Sequence, residues 1–175
     1  IFSAPGTYVV KTPGLTNQHV VVAPAGSDEV LLSALDNDTL VRIALLSDAS
    51  MLNESTRETC QMILRVSGTG VYAEYARTYL CVETFYHVLR PAAPEQLEGV
   101  PLSRDFSRVV ADLTALNASV TKAPLKPLVR FYLGYAQGLA GDLSATNTFQ
   151  SLHRDFPSTP WSERGLELLS ELSEE

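Results

Sequence analysis

Two cysteines, Cys60 and Cys81, and a carboxylate–imidazole pair, Glu83 and His87, are the side chains whose types and spacing most invite chemistry. Two thiols are too few for a zinc site built on cysteine and allow one disulfide at most. If a turn falls at Ser67-Gly-Thr-Gly70, an antiparallel helix pair sets Cys60 opposite about residue 77 and Cys81 one helical turn, ~6 Å, further along. A bridge across that gap is strained; the alternative is two free thiols packed as small apolar side chains. Glu83 and His87 stand four residues apart, a spacing that offers two metal ligands from one helix face, but no second pair accompanies them and His19 and His153 are isolated. A polar i,i+4 pair near a helix C-terminus, where a cationic imidazole is favoured, accounts for both. No Gly-x-Ser-x-Gly elbow occurs, Gly68 and Gly70 lack the Lys-Ser/Thr of a phosphate loop, and Asp36 and Asp38 read as helix caps. No catalytic residue, metal site or cofactor is therefore expected.

The tyrosines are more suggestive. Tyr72, Tyr75, Tyr79, Val82 and Tyr86 recur at steps of three and four, one face of a helix. Such a stripe packs a core or the flank between stacked helices; on an inner solenoid surface it makes rigid amphipathic contacts with peptides. Arg77 and Arg130 suit either a salt bridge to a neighbouring helix or an acidic group on a partner.

These side chains need elements to hold them. Residues 1–25 carry β-branched runs, "GTYVVK" and "HVVVA", bounded by Pro5-Gly6, Pro13-Gly14 and Pro24, which read as a β-hairpin. From Ser27 the period changes to helical. "SDEVLLSAL", "DNDTLVRIALL", "NESTRETCQMILRV", "VYAEYARTYLCVETFYHVL", "SRDFSRVVADLTALNAS", "PLVRFYLGYAQGLAG", "DLSATNTFQSLHRDF" and "PWSERGLELLSEL" follow one another with short connections, which imply antiparallel neighbours. The longer gap, residues 90–102, holds Pro91, Pro94 and Pro101 and reads as a surface loop.

The helices repeat. Residues 59–76, "TCQMILRVSGTGVYAEYA", align without a gap to 148–165, "TFQSLHRDFPSTPWSERG", with Thr, Gln, Arg and Glu identical. "ARTYLC" (76–81) matches "VRFYLG" (129–134), which pairs Arg77 with Arg130, Tyr79 with Tyr132 and Cys81 with Gly134. Equivalent positions 76, 129 and 165 are 53 and then 36 residues apart; the Pro-rich gap explains the longer interval, and the shorter is near the tetratricopeptide period of about 34. A helix ending before Pro157, a cap at Ser158 or Thr159 and Pro160 in the next first turn complete one helix–turn–helix unit, with Trp161 turned inward.

On these residues, "FYLGYAQGLAGDLSATNTFQSLHRDFPSTP" resembles a tetratricopeptide-type unit, with Leu133-Gly134 in its first helix, Gly141-Asp142 at the turn and a "F..L...FP.SP"-like close. It lacks one residue after Gly141 and has Thr146 where alanine is usual. The resemblance covers residues 124–173 well and 55–88 loosely. "FSAPGTYVV" is similar to a closing strand of an immunoglobulin-like sandwich, whose other strands would precede Ile1. The close of the unit is common in repeat proteins of the bacterial cell envelope, so the resemblance implies a periplasmic or secreted protein.

Composition bounds the function. A chain of 175 residues, 45% hydrophobic, buries one ordinary core. A net charge of −7 argues against a nucleic-acid or anionic-membrane surface, and no apolar run approaches the roughly 20 residues of a membrane helix. Opening at Ile1 without Met suggests a mature chain or a piece of a precursor. The expected fold is mainly α, with a hairpin (1–25) before a domain of stacked antiparallel helix pairs (26–175). The expected function is a non-catalytic protein–protein interaction module, with Tyr75, Arg77, Tyr79, Arg130 and Tyr132 binding a protein or peptide. The alternative is an accessory domain of an enzyme whose active residues lie outside this chain.

Overall fold

A computed structural model of the chain describes residues 6–10, 18–22, 37–66, 68–69, 72–89 and 105–173. Seven α-helices occur among them: α1 (Asn37–Ala44), α2 (Glu54–Val66), α3 (Ala73–Leu89), α4 (Ser107–Ser119), α5 (Leu125–Leu139), α6 (Ser144–Asp155) and α7 (Pro160–Ser173), with a 3-10 turn at Ala49–Met51. The chain is thus mainly α, and every helix expected from residue 36 onward is present. Segments Gly6–Val10 and Gln18–Val22 lie antiparallel, Gly6 opposite Val22 and Val10 opposite Gln18. Their connection, the helix expected at 27–35, the domain boundary after residue 25 and the loop at 90–102 lie outside the described residues.

Local chemistry explains the helix ends. Asn53 Oδ1 accepts the Thr56 amide at 2.8 Å and so starts α2 as an N-cap. Helix α5 closes with Gly141 at φ +71°, the left-handed conformation a glycine adopts without cost. There the Asp142 amide reaches Gln137 O (2.9 Å) and the Gly141 amide reaches Gly138 O (3.0 Å), the paired bonds of a Schellman turn. Thr159 is the cap before Pro160: its hydroxyl donates to Phe156 O at 2.9 Å and accepts the Ser162 amide at 3.3 Å.

Packing then follows one rule. From α2 onward successive helices touch, and α1–α3, α3–α5 and α5–α7 also touch, so the odd-numbered helices form one layer against which α2, α4 and α6 lie. This is a packed helical bundle compatible with a helical repeat. Helix α5 sits in the middle of the layer and is apolar nearly all round, as a helix packed on all sides must be. Its contact with α6 is the most extensive in the bundle, because Gly134 lets the Phe149 ring lie directly on the α5 backbone. The repeat equivalences survive as equivalent environments: Cys60 and Phe149, Ile63 and Leu152, Ala76 and Gly165, and Tyr79 and Tyr132 are buried in pairs. Tyr72 is half-buried where Trp161 is buried.

One polar contact ties the first half to the second. The Glu74 carboxylate at the start of α3 accepts the Thr121 amide (2.7 Å), the Thr121 hydroxyl (2.6 Å) and the Lys122 amide (2.9 Å). Partial burial opposes its ionisation, but these donors outweigh it and hold the carboxyl below its ordinary value. A depressed folded pKa stabilises the fold above the unfolded pKa of about 4.3, and that stabilisation is lost as pH falls through the folded value. Glu74→Gln should cost about 1–2 kcal/mol at neutral pH, and the wild-type advantage should shrink steadily below about pH 4. Urea titrations at several pH values check this; a pH-independent difference would contradict it.

Candidate protein-binding surface

The tyrosine stripe of α3 and its counterpart on α5 are held inward by their helices. Tyr79 is 1% exposed and Tyr132 fully buried, so neither is the surface residue expected of a direct protein contact. Their hydroxyls are nonetheless occupied by main chain. Tyr79 Oη accepts the Asn53 amide at 2.7 Å and donates to the Asn53 carbonyl at 2.9 Å. Tyr132 Oη donates to Leu46 O at 2.9 Å and lies 3.0 Å from Tyr86 Oη, which donates to Ser47 O at 3.1 Å. Burial drives the Tyr132 phenol far above its ordinary pKa, and the Tyr86 phenol also rises through burial, so both stay neutral donors. From α7, the Arg164 guanidinium donates to Ser47 O at 3.1 Å and lies 5.7 Å from the centre of the Phe131 ring. Side chains of α3, α5 and α7 thus converge on two consecutive carbonyls at the end of α1, groups that a helix leaves without partners of its own.

The two arginines of the expected site belong elsewhere. Arg77 donates to Gly68 O in the α2–α3 turn. Arg130 pairs with Asp155, reaches Ser151 O at 3.4 Å and stacks 5.2 Å from the Phe156 ring centre. Arg77 and Tyr86 are nine residues apart, close to two and a half turns at about 3.6 residues per turn, so they leave opposite sides of α3. The arginines therefore anchor α2 and α6 to the layer and do not share a surface with the hydroxyls of Tyr79, Tyr86 and Tyr132. Tyr75 packs half-buried against the core. The expected five-residue set is not one surface: the structure brings Tyr132 together with Tyr86 and Arg164. Tyr86 stood in the stripe legible from sequence; Arg164 carried no signal of its own.

Two clefts flank α3. One, about 530 Å³, runs between α2 and α4 over Arg77, Leu80, Cys81 and Thr84. The other, about 170 Å³, is lined by Asn53, Glu54, Arg57, Glu83, Tyr86 and His87. In it Glu83 and His87 form the polar i,i+4 pair at 4.0 Å, and Arg57 of α2 stands 3.9 Å from the same carboxylate. Burial pushes the Glu83 carboxyl up against the opposing pull of Arg57 and His87. No group of three or more His, Cys, Asp or Glu is placed to hold a metal among the described residues. Both cysteines are free thiols, Cys60 buried and Cys81 half-buried, the second of the two alternatives left open by the spacing. Burial pushes Cys60 to about 12 and Cys81 to about 11, which leaves little thiolate at neutral pH. Among the described residues no helix is long and apolar enough to cross a membrane.

No known protein family, curated protein or solved structure matches the chain.

Proposed function

We propose that this chain is a non-catalytic protein–protein interaction module built on tetratricopeptide-like helix pairs, and that its partner-binding surface is the layer of odd-numbered helices. One observation carries the reading: Tyr86, Tyr132 and Arg164, from three different helices, donate hydrogen bonds to the main-chain carbonyls of Leu46 and Ser47, where the chain leaves the C-terminal turn of α1. The same donors on neighbouring helices are suited to gripping the main chain of a partner, stacked helix pairs create extended binding surfaces, and aromatic and arginine side chains dominate the energetics of interfaces. Stacked helix pairs present these side chains in register, since equivalent positions on successive units lie side by side. The resemblance to bacterial envelope repeat proteins supports placement in the periplasm or outside the cell.

Affinity capture with the immobilised chain tests the proposal. A captured protein should be lost when Tyr86→Phe and Arg164→Ala are introduced together, with the melting temperature of the variant within a few degrees of wild type. Capture unaffected by the double variant would sink this surface. A thermal shift with a small metabolite and no captured protein would favour the accessory domain of an enzyme.

A further inference from the structure

Arg77 differs from its repeat counterpart in one respect. Arg130 pairs with Asp155, and Arg154 shares that carboxylate at 2.9 Å. The alignment of 59–76 with 148–165 sets Arg65 on Arg154 but Val66 on Asp155, so the first unit keeps both guanidiniums and lacks their acid. Among the described residues neither Arg65 nor Arg77 lies within ion-pair distance of a carboxylate. Arg77 instead donates to a neutral carbonyl, Gly68 O. It also stands at one end of the cleft between α2 and α4, whose volume of about 530 Å³ is that of an ordinary small-molecule site. Arg77, Leu80, Cys81 and Thr84 form the floor at steps of three and four, so the cleft runs about 10 Å along α3. Leu64 of α2 and Leu116 of α4 make its walls apolar. The cleft stays open because α4 presents Ala115 there, whereas α6 covers Gly134, the counterpart of Cys81, with the Phe149 ring. Glu74 at the start of α3 holds Thr121 just beyond the end of α4, so the two helices are antiparallel and Asp112 lies toward Thr84, away from Arg77.

We infer that this cleft binds a small amphiphilic carboxylate, an alkyl chain of medium length whose head group pairs with Arg77 and whose tail lies over Leu80 between Leu64 and Leu116. The ligand supplies to Arg77 the acid that Asp155 supplies to Arg130, and a guanidinium is the side chain best shaped to hold a carboxylate through two parallel hydrogen bonds. The tail takes apolar surface of the cleft out of water, which is the favourable term for an alkyl chain. Asp112 fixes the direction: a carboxylate at that end would meet a like charge, so the head group lies at Arg77. Arg77 and Tyr86 leave opposite sides of α3, so this site is separate from the surface of Tyr86, Tyr132 and Arg164 and does not depend on the interaction-module reading.

Calorimetric titration of the full chain with octanoate, octanol and octylamine tests the inference. Octanoate should bind at least ten-fold more tightly than either of the others. Arg77→Gln should remove that preference and leave octanol binding unchanged. Ala115→Trp, at an exposed position of α4, should fill the cleft and abolish binding of all three at the wild-type melting temperature. Thiol alkylation of the wild-type chain covers the case in which a variant fails to fold: saturating octanoate should slow modification of Cys81 several-fold, read by peptide mass spectrometry, and octylamine should not. Equal binding of the three probes, octanoate binding that survives Ala115→Trp, or Cys81 alkylation unchanged by octanoate overturns the inference. Protein capture that is lost in Ala115→Trp, with no octanoate bound by the wild type, gives the cleft to a macromolecular partner and overturns it too. Octanoate binding should be indifferent to Tyr86→Phe with Arg164→Ala, so failure of one site leaves the other standing.

Discussion

Phe149→Ala should destabilise the fold by about 3–5 kcal/mol, the range for emptying a fully enclosed aromatic site. The ring is 1% exposed and wedged between two helices. A Cβ placed on Gly134 of α5 would lie 2.9–3.0 Å from three of its atoms, and one on Gly165 of α7 would lie 2.9 Å from Cδ1. Neither of the two positions that face the ring, Gly134 and Gly165, has a side chain to refill the space. The same geometry predicts a sign reversal. Gly134→Ala should destabilise the wild type by about 1–3 kcal/mol through overpacking, although alanine is the better helix former by about 1 kcal/mol. In a Phe149→Leu background the clash disappears, and Gly134→Ala should become neutral or stabilising. Chemical denaturation of the four chains measures the coupling. Equal effects of Gly134→Ala in both backgrounds would show that the glycine answers to something other than the ring.

Trp161→Ala should cost a similar amount, about 3–5 kcal/mol, for a different reason. Trp161 opens α7 directly after Pro160, is 4% exposed, and lies 5.3 Å from the Phe131 ring centre and 6.2 Å from that of Tyr132. With Arg164 over the Phe131 ring, it is a contact through which α7 covers α5. Its loss also loosens the helix that carries Arg164. The variant should therefore lose stability by circular dichroism in urea and should expose the segment 43–48 to hydrogen exchange ahead of global unfolding. As the chain's one tryptophan, it should emit at short wavelength in the native state. A loss below about 1 kcal/mol, or native emission as red as the unfolded chain's, would contradict the packing.

Among the described residues, helix positions, several of their ends and the equivalence of positions 76, 129 and 165 were legible in the sequence, because each rests on interactions within a few residues of chain. Asp38, read as a cap, instead lies inside α1 and pairs with Arg42, and α4 begins at Ser107, four residues later than read. The Gly141 turn, the Thr159–Pro160 start and the inward Trp161 needed only φ preferences, caps and apolar periodicity. Burial of Cys60 was legible too, since its repeat partner is a core phenylalanine. The candidate surface was legible only in part. The stripe of tyrosines was legible on α3, yet the hydroxyls of Tyr79 and Tyr86 meet Asn53 and Ser47, that of Tyr132 on α5 meets Leu46, and Arg77 and Arg130 turn to the opposite side of their helices. Nothing local separates a tyrosine packed in a core from one that grips a distant carbonyl: the same period of three and four serves both. Whether Arg164 meets Ser47, 117 residues earlier, depends on how α3, α5 and α7 stack and on where α1 ends. Spacing along the chain determined which residues share a face; only the tertiary arrangement decided what that face holds, because its bonds join groups that no helical or strand period brings together.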